Sequence, residues 1–189
     1  MIKPNFWSEW LFPQMAVGSP LAVLYIKIWD VTSKSWPRTL GTKTSIKAVA
    51  FSPNGQWLAF VSDSFKHKLK VWNTKFGQLQ YRLRAHKKIY SISFSPDDKW
   101  LASCGGDRTV KLWDVSSGRL QHTLKGHKDE VYSVAFAPNG KWLASGSKDK
   151  TIKIWDVESA RLRHSLAASQ GDIYSVAISP NGKWSNSGK

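Results

Sequence analysis

Apolar and polar residues alternate with period two over short stretches of this chain, and each stretch stops at a cluster of turn-forming residues. The cleanest copy runs from Gly126 to Ser165. Val131-Tyr132-Ser133-Val134-Ala135-Phe136 predicts a first strand, and Pro138-Asn139-Gly140 a turn in which Asn-Gly supplies positive φ. Lys141 to Gly146 predicts a second strand, Lys148-Asp149-Lys150 another turn, and Thr151 to Trp155 a third strand. Val157 to Ala160 reads as a polar bend and Arg161 to Leu166 as a fourth strand. Four short antiparallel strands make a small sheet with two apolar faces. Such a sheet cannot hide both faces alone and must stack on its neighbours.

The pattern recurs. Trp29-Asp30, Trp72-Asn73, Trp113-Asp114 and Trp155-Asp156 lie 41 to 43 residues apart. Phe51-Ser52-Pro53, Phe94-Ser95-Pro96, Phe136-Ala137-Pro138 and Ile178-Ser179-Pro180 keep the same beat. Two independent markers on one period define a unit of about 42 residues. The propeller-like region is expected over 21–189, with complete units at 46–84, 89–125 and 131–167. A part unit at 21–41 carries third- and fourth-type strands, and one at 173–189 carries a first-type strand and the start of a second. Residues 1–20 form an N-terminal segment with no assigned fold. Within it Met15 to Ser19 resembles Leu143 to Ser147, as a degenerate remnant would, and residues 1–14 match no repeat. The two part units could combine into a fourth sheet and close a ring, or the stack could stay open. The open arrangement is favoured, because Met15 to Ser19 gives the N-terminal part more than half a unit.

The markers Gly126-His127, Leu143-Ala144-Ser145-Gly146, Asp149 and Trp155-Asp156 resemble those of the WD-repeat β-propeller family, and the resemblance covers roughly Tyr25 to Gly188. It implies an all-β fold: a β-propeller of four-stranded antiparallel blades, here about four, as an incomplete or open arc rather than a full ring. It also implies a buried hydrogen-bonded tetrad within a blade. One tetrad would be His127, Ser145, Asp149 and Trp155, and another His86, Ser103, Asp107 and Trp113. The copy ending at Trp72 departs, with Thr42 in the His place and Phe60 in the Ser place, and the last copy has Ser169 for the His. The outer blades should therefore be weaker. The resemblance further implies that peptides dock on the rim carrying the loops before the first strand and between the second and third. The corresponding positions are Lys47, Tyr90, Tyr132 and Tyr174. Around them stand Lys43, Lys87, Lys88, Arg108, Lys128, Lys148 and Lys150, partly offset by Asp129, Glu130 and Asp172.

Charge sharpens this picture. The net charge is +15 and the lysines are spread through every repeat rather than gathered in a block. An aromatic rim in a basic collar would favour an acidic peptide or protein. Single-stranded nucleic acid is the alternative partner, because alternating Tyr and Lys suits bases and phosphates. A hydrophobic content of 41% excludes a disordered tail. The lone Cys104 excludes an internal disulfide framework and fits a reducing compartment. No signal-peptide pattern or membrane-length apolar run stands out, so a cytoplasmic protein with no membrane association is expected.

No catalytic constellation emerges. Ser145, His127 and Asp149 can be written as a triad, but the same residues are the blade's internal network. His122 and His164 share one position in adjacent units and do not converge on a metal, and Gly105-Gly106 precedes a simple turn rather than a phosphate loop. The expectation is a non-enzymatic interaction scaffold with no cofactor and no metal, able to self-associate if the stack is open. A fragment with no function of its own is the remaining alternative.

Overall fold

A computed structural model describes residues 24–28, 38–42, 45–62, 68–167, 171–182 and 185–188, and it divides into two compact units, Met1–Ser45 and Ile46–Lys189. Met15 to Ser19, Lys43 and Ser169 lie outside the described residues. In the first unit, β1 (Leu24–Ile28) pairs antiparallel with β2 (Arg38–Thr42), setting Ile26 opposite Leu40 and Lys27 opposite Thr39.

The second unit holds three four-stranded antiparallel sheets and one two-stranded sheet. β3 (Ile46–Phe51), β4 (Trp57–Ser62), β5 (Lys68–Asn73) and β6 (Gln78–Arg84) form the first. β7 (Ile89–Phe94), β8 (Trp100–Gly105), β9 (Thr109–Asp114) and β10 (Leu120–Lys125) form the second. β11 (Val131–Phe136), β12 (Trp142–Ser147), β13 (Thr151–Asp156) and β14 (Leu162–Ala167) form the third. β15 (Ser175–Ile178) and β16 (Ser185–Gly188) form the last. In the 131–167 copy the second and fourth strands begin one residue later than the alternation predicts. The turn at Gly140 has φ +68°, as the Asn-Gly reading requires.

The first strands β3, β7, β11 and β15 approach one another in succession, so the sheets lie side by side in chain order. Burial follows from this. One apolar cluster joins Val61, Leu69, Val71 and Leu83 to Ile92, Phe94, Leu101 and Trp113 of the next sheet. A second joins Cys104, Val110, Leu112 and Leu124 to Val131, Phe136, Leu143 and Trp155. A third sets Ala144 and Ile152 against Ile173 and Val176. The core therefore lies between sheets rather than inside any one of them, and each buried Leu, Val or Ile contributes about 1.5–3 kcal/mol only while its neighbour is present. The fold is all-β, with no helix among the described residues. Among the described residues β1–β2 and β15–β16 are two-stranded sheets and no sheet is closed, as in an open propeller arc of about three to four blades.

Candidate binding rim and its buried supports

At one end of each complete sheet sit the loop before the first strand and the turn between the second and third. Two of these sheets hold a linked set of polar side chains. In the 89–125 sheet, His86 Nδ1 meets Asp107 Oδ1 at 2.6 Å and Nε2 meets Ser103 Oγ at 3.0 Å. The Trp113 indole N–H donates to the same Ser103 Oγ at 3.0 Å. In the 131–167 sheet, His127 Nδ1 meets Asp149 Oδ2 at 2.9 Å and Nε2 meets Ser145 Oγ at 2.7 Å, while Trp155 N–H donates to Ser145 Oγ at 2.8 Å. One proton arrangement satisfies every member. The indole N–H donates to the serine oxygen, the serine hydroxyl donates to Nε2, and Nδ1–H donates to the carboxylate. It requires a neutral imidazole. Burial pushes both His86 and His127 below their ordinary 6.5, against the pull of the neighbouring carboxylates.

The aspartates also hold their turns. Thr109 Oγ1 donates to Asp107 Oδ1 at 2.8 Å, and Thr151 Oγ1 to Asp149 Oδ1 at 2.6 Å. Burial works against ionised Asp149, but hydrogen bonds from Thr151, the Lys128 N–H and His127 bring it down to about 2. Asp107 is likewise lowered, burial being outweighed by His86. Gly126 precedes His127 at φ +153°, a conformation that favours glycine, and a Cβ there would press on the indole at 3.2 Å from Trp155 Cη2. The geometry of Ser145, His127 and Asp149 is that of a triad on paper, but Ser145 is fully buried and its oxygen already accepts the Trp155 N–H. That hydroxyl cannot reach a substrate. His122 packs against the Trp100 ring, 6.0 Å between centroids, and no group of metal-binding side chains occurs among the described residues.

Lys70, Lys111 and Lys153 belong to these interiors. Lys111 Nζ stands 3.4 Å from Asp107 Oδ2 and donates to the Ala85 carbonyl. Lys153 is buried and donates to Ser165 Oγ at 2.8 Å. In the 46–84 sheet Phe60 takes the serine place, and Lys70 Nζ sits 5.4 Å from its ring centroid.

The rim itself is built by a repeated irregularity. The pairing of first with second strand slips between Ile46 and Ala48, between Ile89 and Ser91, and between Val131 and Ser133. The residue left in each β-bulge is Lys47, Tyr90 or Tyr132. A bulge re-aims its extra side chain out of the strict alternation. Tyr90 and Tyr132 meet edge to face with centroids 5.0 Å apart, and Tyr132 stacks on Tyr174 at 5.2 Å and 11°. Three successive repeats thus place their aromatic rings in one row, whose last member, Tyr174, is 57% exposed. Glu130 lies beside the row, with Oε2 accepting from Tyr90 OH at 2.9 Å and from Tyr132 OH at 3.4 Å. Burial and this carboxylate hold the Tyr90 phenol up at about 12.

Lys47, Lys87, Lys88, Arg108, Lys128, Lys148 and Lys150 are all exposed, whereas Asp129, Glu130 and Asp172 are half-buried. Arg108 and Lys150 occupy the tight turns at φ +66° and +65°, a conformation that L residues adopt rarely. Sequence reasoning missed the bulges, the capping role of Glu130 and the inward lysines.

Stacked four-stranded sheets, tied through buried tetrads, define a propeller-type repeat protein. The family WD domain, G-beta repeat matches residues 35–73, 77–114 and 118–156, more than half of the chain, and the chain belongs to that family. The matched segments 77–114 and 118–156 each begin with the outer strand of one sheet and end with the third strand of the next, so the backbone itself ties neighbouring sheets together. No curated protein matches the chain. Repeats of this family generally mediate protein–protein interactions as scaffolds and are typically non-catalytic. Among the described residues no helix is long and apolar enough to cross a membrane.

Proposed function

We propose that this chain is a non-catalytic, cytoplasmic scaffold that binds an acidic segment of a protein partner across the rim carrying Tyr90, Tyr132 and Tyr174. The observation that carries this reading is the continuous row of three tyrosine rings, open at Tyr174 and set among exposed cations. Stacked tyrosines offer large contact area with few rotatable bonds to freeze. Two of the three half-buried acids on this rim are engaged inside the protein, Glu130 by the tyrosine hydroxyls and Asp129 by the Glu130 N–H, and the exposed cations outnumber all three. The charge presented to a ligand is therefore positive, which favours carboxylate-rich or phosphorylated peptides.

The test is titration of an acidic peptide, a Glu/Asp-rich 12-mer, against the chain and against Tyr132→Ala and Tyr174→Ala. Binding that weakens about tenfold or more in each variant, with unchanged circular dichroism, supports the reading; a loss of ~1.4 kcal/mol corresponds to that factor. Equal binding by all three proteins removes it. Tighter retention of single-stranded oligonucleotide than of peptide, with affinity falling steeply as salt rises, would move the assignment to nucleic acid.

A further inference from the structure

Two phenol hydroxyls on successive sheets converge on one carboxylate oxygen. Tyr90 OH donates to Glu130 Oε2 at 2.9 Å, and Tyr132 OH donates to the same atom at 3.4 Å. A phenol has a single proton to donate. Both donors are therefore spent inside the protein, and what the two hydroxyls still offer a ligand is lone pairs. Glu130 Oε1 accepts no hydrogen bond among the described residues, and no described lysine or arginine stands within ion-pair distance of this carboxylate. The middle of the row, between Tyr90 and Tyr132, thus presents acceptors, while the exposed cations stand on the loops and turns around it.

The carboxylate is held in place from both sides. The Glu130 carbonyl accepts from the Lys148 N–H at 2.9 Å and from Ser147 Oγ at 2.8 Å, and its N–H donates to Asp129 Oδ1 at 2.8 Å. The side chain reaches from the loop before β11 to the turn after β8, where a Cβ on Gly106 would stand 3.1 Å from Oε1. Glycine at this place leaves the carboxylate its room. One sheet further on, Lys148 takes the Gly106 place and the shorter Asp172 the Glu130 place. Asp172 adds a second negative charge beside Tyr132. The open ring of Tyr174 next to it presents a face that attracts cations.

We infer that Glu130 selects the residue of the ligand that crosses the row: a Lys or Arg, which donates hydrogen bonds and carries positive charge, flanked by acidic residues that the surrounding cations take. This rests on the rim being the binding surface, as proposed above, and deepens that reading by naming the ligand's central residue. A carboxylate in the central place would meet Glu130 as a like charge and find no hydroxyl proton free, and that repulsion supplies selectivity.

Two 12-mer peptides differing at one position test the inference, one of Glu and Asp throughout and the other with Lys at its centre. Net charge alone favours the all-acidic peptide, since the chain carries +15. The expected result is the reverse, with the Lys-centred peptide binding about fivefold more tightly. Moving the Lys to the peptide's end should remove its advantage. Glu130→Gln replaces the carboxylate by an amide that donates as well as accepts, so the preference for central Lys should vanish. Gly106→Ala, which displaces the carboxylate without removing it, should reduce the same preference and serves if Glu130→Gln does not fold. Equal binding of the two peptides, tighter binding of the all-acidic one, or a preference that both variants leave intact would overturn the inference and leave the rim as the site. Binding of neither peptide would remove both.

Discussion

Phe60 fills the place that Ser103 and Ser145 hold in the next two sheets, and the indole nitrogen of Trp72 is consequently buried with no hydrogen-bond partner. The pairing register is the same in all three, so the difference is one of chemistry and not of backbone. Phe60 is buried and adds apolar packing, but it offers no acceptor. An unsatisfied buried donor costs on the order of 1–3 kcal/mol, and this sheet carries that cost where its neighbours do not.

It follows that the three tryptophans should respond differently to Phe. Trp113→Phe and Trp155→Phe remove a donor that Ser103 or Ser145 uses, and each should lose about 2–3 kcal/mol. Trp72→Phe removes a donor with no acceptor, so the relief offsets part of the lost packing and the change should stay within about 1 kcal/mol. Urea midpoints of the three variants measure this directly. Equal losses at all three sites would show that the indole hydrogen bonds contribute little.

The tetrads also fix how stability depends on pH. Burial lowers His86 and His127 below 6.5, so the unfolded chain binds more protons than the folded one as pH falls through that value. The stabilisation from neutral histidine is complete above pH 6.5 and declines below it. Asp149, held at about 2, and Asp107, also lowered, add stability that is present above the ordinary 3.8 and lost as pH falls toward 2. Acid should therefore weaken the protein in two stages, the first beginning near pH 6.5. A urea midpoint that stays flat from pH 7.5 to 4.5 would contradict the neutral-imidazole arrangement.

Much of this is legible in the amino-acid sequence alone, and the gaps have physical causes. The strands of the 131–167 sheet follow from period-two alternation between Asn-Gly and Asp-centred turns, both local signals. The partners in the tetrads are 10 to 22 residues apart, and only a repeat with a known counterpart brings them together on paper. The bulges at Tyr90 and Tyr132 left a trace that strict alternation overlooks. Buried Ile89 and Ile92 are three residues apart, as are Val131 and Val134, and a flat strand would not bury both. A strand pattern does not reveal that the long stems of Lys70, Lys111 and Lys153 reach polar or aromatic partners inside the blade. Nothing local announces that Glu130 caps Tyr90, 40 residues away, since that contact exists only because one sheet lies on the next.

A third prediction concerns the turn between third and fourth strands. Gly77 and Gly118 sit there at φ +64° and +66°, and the third copy has Ala160 at φ +56°. A Cβ in this left-handed region strains the backbone by about 1 kcal/mol, while glycine adopts it freely. Ala160→Gly should thus raise stability by about 0.5 kcal/mol at most, once the greater freedom glycine gives the unfolded chain is set against the relief. Thermal or urea unfolding reads the sign, and a loss would mean that Ala160's contacts with the neighbouring cluster outweigh the relief.

The last prediction isolates Glu130 from the rest of the rim. Its Oε2 accepts the Tyr90 hydroxyl, and that carboxylate, together with burial, raises the Tyr90 phenol to about 12. A phenolate next to a carboxylate is disfavoured by like charge, and the hydrogen bond stabilises the protonated phenol further. Glu130→Gln removes the charge but keeps an acceptor, so the Tyr90 value should fall toward 10 without returning all the way, burial being the larger cause. Tyr132, also raised by burial and by Glu130, should move in the same direction. Absorbance titration near 295 nm on Glu130→Gln, with Tyr90→Phe to assign the shifted group, separates these contributions. If the Tyr90 titration is unmoved by Glu130→Gln, the carboxylate does not hold that hydroxyl in solution, and the tyrosine row is ordered by ring packing alone.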